Sequence, residues 1–127
     1  MRRIPRKSLP MQLSAVALLL LLLLFFSIME SGTGWSSNEK SLIKGQGVMR
    51  VLTIDDKEDS LFLRTHCKDL TVKEINSAEY AVLADRMLAT VTSPEQDGVG
   101  IAGPQVGIGR RIVAVQRFDK EGEPFEV

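Results

Sequence analysis

The stretch G-V-G-I-A-G-P-Q-V-G, residues 98–107, decides how the rest of the chain is interpreted. Its first six letters carry the glycine spacing with which dinucleotide-binding folds hold a pyrophosphate. Such a site requires a strand that enters the first glycine and a helix that begins near the last, because the phosphate lies against the helix N-terminus. The flanking segments therefore decide whether this stretch binds a nucleotide.

A helix is predicted before the glycines. Thr71 opens the capping box T-V-K-E, in which the Thr71 hydroxyl and the Glu74 carboxylate satisfy each other's backbone donors. Apolar residues then recur at three- and four-residue intervals, which predicts a helix over residues 71–92. The helix is expected to end at Ser93, because the residue before Pro94 is disfavoured in helical conformation.

Strands are predicted after the glycines. The apolar run in R-R-I-V-A-V-Q-R-F, residues 110–118, is typical of a buried strand. The following D-K-E-G-E-P predicts a turn at Gly122 and a return strand in the last three residues. The order is helix, glycine loop, strand, and Pro104 opposes a helix after the glycines. A dinucleotide site is therefore rejected, and a phosphate loop is rejected because no G-K-[ST] follows.

The segments upstream are less informative. V-M-R-V-L-T-I, residues 48–54, alternates apolar and polar residues and predicts a strand, followed by a solvated turn at D-D-K-E-D-S and an extended connector over residues 61–70. Adjacent His66 and Cys67 lie in that connector. Neighbours in an extended chain point to opposite faces, and the chain has only this one His and this one Cys, so we predict no metal site there.

Residues 1–34 have the composition of a targeting segment. Four basic residues precede an uncharged apolar run at 13–29, and small residues follow, which favours a secretory signal peptide. An uncleaved membrane anchor through residues 13–29 stays open. The predicted location is exported, periplasmic or extracytoplasmic, or membrane-anchored. It is cytoplasmic if translation starts at Met49.

The remaining chain excludes some classes of partner. Of the 16 basic and 16 acidic residues, residues 1–34 hold four and one, which leaves 12 basic and 15 acidic residues. A basic surface for nucleic acid is therefore not expected. The single Cys67 excludes an internal disulfide. Residues 35–47, rich in Ser, Asn, Lys and Gly, predict a linker or an ordered arm.

The glycine stretch resembles a known family once its context is included. G-V-G-I-A-G-P-Q, residues 98–105, is similar to the first signature of peptide deformylases, usually glycine, apolar, glycine, apolar, Ala, Ala, any residue and Gln. The strand, connector, capped helix and hairpin also follow in the family's order, so the resemblance covers residues 48–127. Gly103 departs from the signature, because the family usually has a second alanine there.

The resemblance implies a hydrolase that removes the formyl group from formyl-methionyl peptides. In that family Fe²⁺, or Zn²⁺ or Ni²⁺ in its place, activates the water that attacks the formyl carbon. Gln105 is implied as the catalytic donor whose side-chain amide stabilises the developing oxyanion. Gly98, Val99 and Gly100 are implied to bind the substrate peptide.

The family's metal ligands do not occur in this sequence. They are a cysteine from E-G-C-x-S and two histidines from H-E-x-x-H, and neither segment is present. We therefore expect an α+β fold, peptide-deformylase-like and truncated before the metal-binding helix, and no deformylase activity from these 127 residues alone. Two alternatives stay open: a small exported or membrane-tethered peptide-binding protein without catalysis, and a non-functional remnant.

Overall fold

A computed structural model describes residues 10–30 and 34–127. The chain divides into two units, Met1–Thr33 and Gly34–Val127. In the first unit, helix α1 spans Pro10–Glu30 and includes the predicted apolar run. The basic start and the small residues at 31–33 lie outside the described residues. Within the described part of the chain, no helix has both the length and the apolar character needed to cross a membrane.

The second unit has the predicted α+β composition. Four short helices precede or pack against a three-stranded antiparallel sheet of order β1-β2-β3, and one 3-10 turn connects β1 to β2. The elements are α2 Ser37–Lys44, α3 Lys57–Leu63, α4 Val72–Ile75, α5 Ala78–Val91, β1 Gly100–Ala102, the 3-10 turn Gly103–Val106, β2 Val113–Gln116 and β3 Phe125–Glu126.

The segment 35–47 is an ordered arm and not a linker. The Ser36 hydroxyl accepts from the Glu39 amide at 3.2 Å, and the Glu39 carboxylate accepts from the Ser36 amide at 2.7 Å, which is a complete capping box for α2. Trp35 and Ile43 are buried in the core of the second unit. Because the segment is otherwise polar, its composition did not indicate that these two apolar residues, one on each side of the capping box, are buried.

The strand predicted at 48–54 is wrong. The segment is extended, but it pairs with no strand among the described residues. Its backbone is held instead by single hydrogen bonds, from the Leu52 amide to the Gln105 carbonyl at 2.7 Å and from the Met49 amide to Thr90 Oγ1 at 2.9 Å. The alternation of apolar and polar residues therefore indicates a half-buried extended segment. Met49 is buried in the core, and Ile54 is exposed.

The predictions of a turn at D-D-K-E-D-S and of an extended start of the connector are wrong as well. They form α3, because the Asp56 carboxylate accepts from the Asp59 amide at 2.9 Å and caps the helix. Asp59 is buried and binds the Arg50 guanidinium through two hydrogen bonds of 2.9 and 2.7 Å. A seven-residue helix shows too few apolar repeats for periodicity to reveal it.

The predicted helix at 71–92 is interrupted. Its Thr71 capping box is present, but it opens the single-turn helix α4. Ser77 then caps α5 by accepting from the Tyr80 amide, and its hydroxyl donates to the Glu74 carbonyl. A second N-cap inside the periodic run therefore divides it, whereas the predicted end before Pro94 is confirmed by the end of α5 at Val91.

The core lies between α5 and the sheet. The two largest fully buried side chains of α5 are Leu83 and Met87, and Ile101 and Ala114 lie in the same buried cluster. The predicted hairpin is present, with β2 paired to β3 and a positive φ of 78° at Gly122. An α-helix after Gly103 was excluded by the sequence, and a single 3-10 turn with proline in its first positions connects the strands.

Candidate functional site

Strand β1 presents one open edge. Its other edge pairs with β2, where the Gln116 amide donates to the Val99 carbonyl and the Gly103 amide donates to the Ile112 carbonyl, both at 2.8 Å. Backbone groups alternate in direction along an antiparallel strand. The amides and carbonyls of Gly100 and Ala102 therefore point away from β2, toward the edge at which the described sheet ends.

The Gln105 side chain lies at the end of that edge. Its Oε1 accepts from the Ala102 amide at 2.8 Å, and the side chain is otherwise exposed. The bond fixes the orientation of the amide, so that Nε2, which carries two donors, faces away from the strand. The Gln105 carbonyl also accepts from the Leu52 amide. Both the backbone and the side chain of Gln105 are therefore held.

Gly98 and Gly100 adopt no unusual backbone torsions. Neither has a positive φ, so the backbone torsions do not require glycine at either position. A Cβ on Gly98 would lie 3.3 Å from Val91 Cγ2, so its close approach is to helix α5. A Cβ on Gly100 would meet its nearest atom, the Ala114 carbonyl oxygen, at 3.5 Å, which is ordinary contact. Val99, between them, is exposed.

Gly103 is the tightest glycine of the loop. A Cβ there would lie 2.8 Å from the carbonyl oxygens of Arg110 and Ile108 and from a methyl carbon of Ile112. The resemblance implies an alanine at this position, but in this protein there is no room for a methyl group. Gly107 ends the 3-10 turn with a φ of 80°, and a Cβ there would lie 3.1 Å from Leu42 Cδ1.

A buried ionic cluster lies beside the loop, and sequence reasoning missed it. We call Trp35, Glu39, Glu74 and Arg110 the Arg110 cluster. Arg110 donates to Glu39 Oε1 from Nε at 2.8 Å and to Glu74 Oε1 from Nη1 at 2.9 Å. Its guanidinium carbon lies 5.0 Å from the centre of the Trp35 ring, within cation–π range.

The Arg110 cluster joins two helix starts. The second oxygen of Glu39 accepts from the Ser36 amide and that of Glu74 accepts from the Thr71 amide, so each carboxylate completes a capping box. Burial alone raises the pKa of the Glu39 carboxyl, but hydrogen bonds from Arg110 and the Ser36 amide outweigh it and hold the pKa below its ordinary value of 4.5. Burial also raises the pKa of the Glu74 carboxyl, but hydrogen bonds from the Thr71 amide and Arg110 outweigh this effect and hold the pKa below its ordinary value. The capping box at Ser36 was the signal in the sequence that could have revealed the arm.

A cavity of about 550 Å³ is lined by residues of α2, α3 and the end of the 3-10 turn. Leu42, Leu52, Phe62 and Val106 contribute apolar lining, and the ion pair of Arg50 and Asp59 also lines the cavity. Gln105, Gly98, Val99 and Gly100 do not line it. The predicted site residues therefore share the β1 edge and not a closed pocket.

The residues that the structure describes do not fit a metal centre. Across residues 10–30 and 34–127, the structure brings together no group of three His, Cys, Asp or Glu side chains that could hold an ion. His66 and Cys67 lie in the connector before the bridge between Lys68 and Arg110.

Solved structures of a class I type b peptide deformylase from Acinetobacter baumannii are similar to this chain. The actinonin-bound structure is 34% identical over 55% of this chain and 44% of its own, with a TM-score of 0.47. The K1U-bound structure is 36% identical over 57% of this chain and 45% of its own, with a TM-score of 0.48. This chain therefore spans less than half the length of those structures.

Comparison by sequence gives the family. No curated protein sequence matches the chain. The family model of polypeptide deformylase matches residues 48–127, which is more than half of the chain and begins at the extended segment before α3. The match includes the β1 edge, Gln105 and the hairpin. On this match, the chain belongs to the polypeptide deformylase family.

Proposed function

We propose that this chain carries the peptide-binding edge of a deformylase and that formyl-methionyl peptides are its substrate class. An extended peptide adds to an exposed strand edge through main-chain hydrogen bonds. The outward amide and carbonyl of Gly100 supply one such pair of groups, and the exposed Val99 and the backbone of Gly98 flank them. Membership of the polypeptide deformylase family supports the proposal that the bound peptide begins with formyl-methionine.

Gln105 is the proposed catalytic group. An oxyanion is stabilised by a neutral donor that is fixed before charge develops. The hydrogen bond from the Ala102 amide to Gln105 Oε1, at 2.8 Å, leaves the Nε2 end to donate toward a carbonyl bound at the edge. This bond is the observation that carries the proposal.

Turnover by these 127 residues alone is not expected. Attack on a formamide requires an activated water, and a bound divalent metal supplies that activation by lowering the pKa of the water. The chain holds one His and one Cys, and the described residues offer no ligand group for iron, zinc or nickel. We therefore propose binding without formate release, and we derive no chemical step through a metal.

The binding proposal is tested with the ¹⁵N-labelled full chain and the peptide formyl-Met-Ala-Ser. Saturable chemical-shift changes are expected at the amides of Gly100 and Ala102 and at the Gln105 side-chain amide. The unformylated peptide should give weaker changes. Gln105→Glu keeps an acceptor for Ala102 but removes the donor, and should weaken binding, whereas Gln96→Glu in the exposed turn after α5 should not. Absence of shifts along β1 would refute the proposal.

A peptide-binding protein without catalysis is the second candidate. The open edge of β1 favours it, because that edge needs no metal to offer its main-chain groups. The two candidates differ in their response to a chelator. An enzyme assembled with the metal ligands that this chain does not hold would release formate and would lose that activity with a chelator, whereas the binding protein would bind formyl peptides equally well with and without a chelator.

Export remains a proposal that follows from the composition of residues 1–34. It places the chain away from the ribosome, where formyl-methionine is normally processed, so an exported protein would act on formyl peptides outside the cytoplasm. Sequencing the N-terminus of the mature protein tests it. A mature chain that retains Met1 contradicts cleavage.

A further inference from the structure

We call residues 34–44, which consist of the chain from Gly34 to the end of helix α2, the arm; they precede the residues matched by the family model but are built into the core. Trp35 is 5% exposed and Ile43 is 1% exposed, and α2 packs against α5. Arg86 of α5 also donates to the Leu42 carbonyl and, from Nε at 3.1 Å, to the Gly47 carbonyl, which closes the end of α2. The arm is therefore part of the same packed unit as the β1 edge.

Arg110 connects the arm to the loop that carries Gln105. Its side chain is bound by Glu39 of the arm and by the Gly34 carbonyl, the latter at 2.6 Å from Nη2. Its backbone carbonyl lies 2.8 Å from where a Gly103 Cβ would be, at the start of the 3-10 turn. The Arg110 amide donates to the Ile108 carbonyl at 2.8 Å. One residue therefore touches both the arm and the start of the turn.

A second contact joins the arm to the other end of the turn. Gly107 is the C-cap of the 3-10 turn, and Leu42 Cδ1 of α2 lies against it. The Ile108 amide donates to the Gly103 carbonyl at 2.9 Å and closes the loop around Gln105. The arm thus reaches the turn at both ends, through Arg110 and through Leu42.

We propose that Arg110 is a positioning residue, through which the arm at Gly34–Lys44 holds the Gln105 turn in its peptide-binding shape. The inference rests on the proposed function in that it takes this turn to be part of the substrate site. Removing the charge of Glu39 loosens the Arg110 side chain on the arm side only, because Glu74 still binds it. The turn then opens more often than the rest of the core.

Amide hydrogen exchange of the full chain, without peptide, tests this proposal. Glu39→Gln keeps an oxygen that accepts from the Ser36 amide but removes the ionic partner of Arg110. We expect exchange at the Ile108 amide to rise about tenfold more than exchange at Leu83 in α5, because a local opening affects the turn and global unfolding affects both. The matched control is Arg111→Gln, whose ion pair with Asp69 is exposed, and it should leave this ratio unchanged.

The outcomes separate positioning from general stability. An equal rise at Ile108 and Leu83, or no rise at either, overturns the proposal. If Glu39→Gln does not fold, Arg110→Lys, which keeps a cation, is measured in the same way, and failure of both to fold also overturns it. The measurement contains no peptide, so a failure of formyl-peptide binding leaves its result intact and refutes only the proposed function.

Discussion

Replacing Arg110 with methionine should destabilise the second unit far more than the loss of a surface ion pair. The guanidinium contacts Glu39 at 2.8 Å and Glu74 at 2.9 Å, and the three side chains are 6%, 12% and 3% exposed. Removing one partner from a buried ionic group leaves uncompensated charge and costs about 3–5 kcal/mol. Small domains have only about 5–15 kcal/mol of unfolding free energy, so the variant is expected to lie near the limit of folding.

Urea denaturation followed by circular dichroism at pH 7 measures the effect. The control is Arg111→Met, one residue further on, whose pair with Asp69 has side chains 65% and 77% exposed. Exposed pairs contribute about 0–1 kcal/mol, so the control should unfold near the parent midpoint. A loss for Arg110→Met of no more than that of Arg111→Met would refute the buried-cluster reasoning.

The same variant should change the dependence of stability on pH. In the folded parent, the pKa values of Glu39 and Glu74 lie below 4.5, so their contribution is complete above that pH and is lost as the pH falls through the folded values. Without Arg110, burial raises both pKa values, and protonation then favours the folded variant. The difference in unfolding free energy between parent and variant should therefore narrow as the pH falls, first through the raised pKa values of the variant and then through the lowered pKa values of the parent. A constant difference down to pH 3 would contradict this assignment.

Three further outcomes are expected. Gly103→Ala places a methyl group 2.8 Å from two carbonyl oxygens and should cost about 1–3 kcal/mol in urea denaturation, whereas Gly100→Ala, with its nearest atom at 3.5 Å, should cost less than half as much. Thr90→Val removes the buried acceptor of the Met49 amide and should cost about 1–3 kcal/mol, whereas Thr92→Val, which is exposed, should cost little. The purified chain should release no formate from formyl-Met-Ala-Ser with added Fe²⁺, Zn²⁺ or Ni²⁺, and metal-dependent release would contradict the absence of a ligand group.

Periodicity and turn residues in the sequence predicted those helices and hairpins whose residues are close together in the chain. The long apolar period predicted most of α5, and the apolar run with a glycine turn predicted the hairpin of β2 and β3. The expectation that residues 98–107 bind no nucleotide rests on element order and on Pro104, and it stays a prediction. Helices α2 and α3 were missed because eight and seven residues give little periodicity, and their N-caps, Ser36 and Asp56, were the only strong signals.

Long-range contacts were beyond sequence reasoning. The Arg110 cluster joins Glu39 and Arg110, which are 71 residues apart, and no local rule pairs one glutamate with one arginine at that distance. The extended segment at 48–54 has strand-like alternation, but a strand also needs a neighbour, and sequence alternation does not report one. The roles of Gln105, Gly98, Val99 and Gly100 in binding stay predictions.

The shortness of β1 limits what can attach to its edge. Of the two residues whose amides face outward, Ala102 already donates to Gln105, and the 3-10 turn ends the strand immediately afterwards. A second copy of the chain would find too few unpaired groups there to continue a sheet, and short edge strands are one way in which proteins avoid uncontrolled polymerisation. The short edge that can bind a peptide therefore also disfavours fibre formation through addition of further copies of the chain at β1.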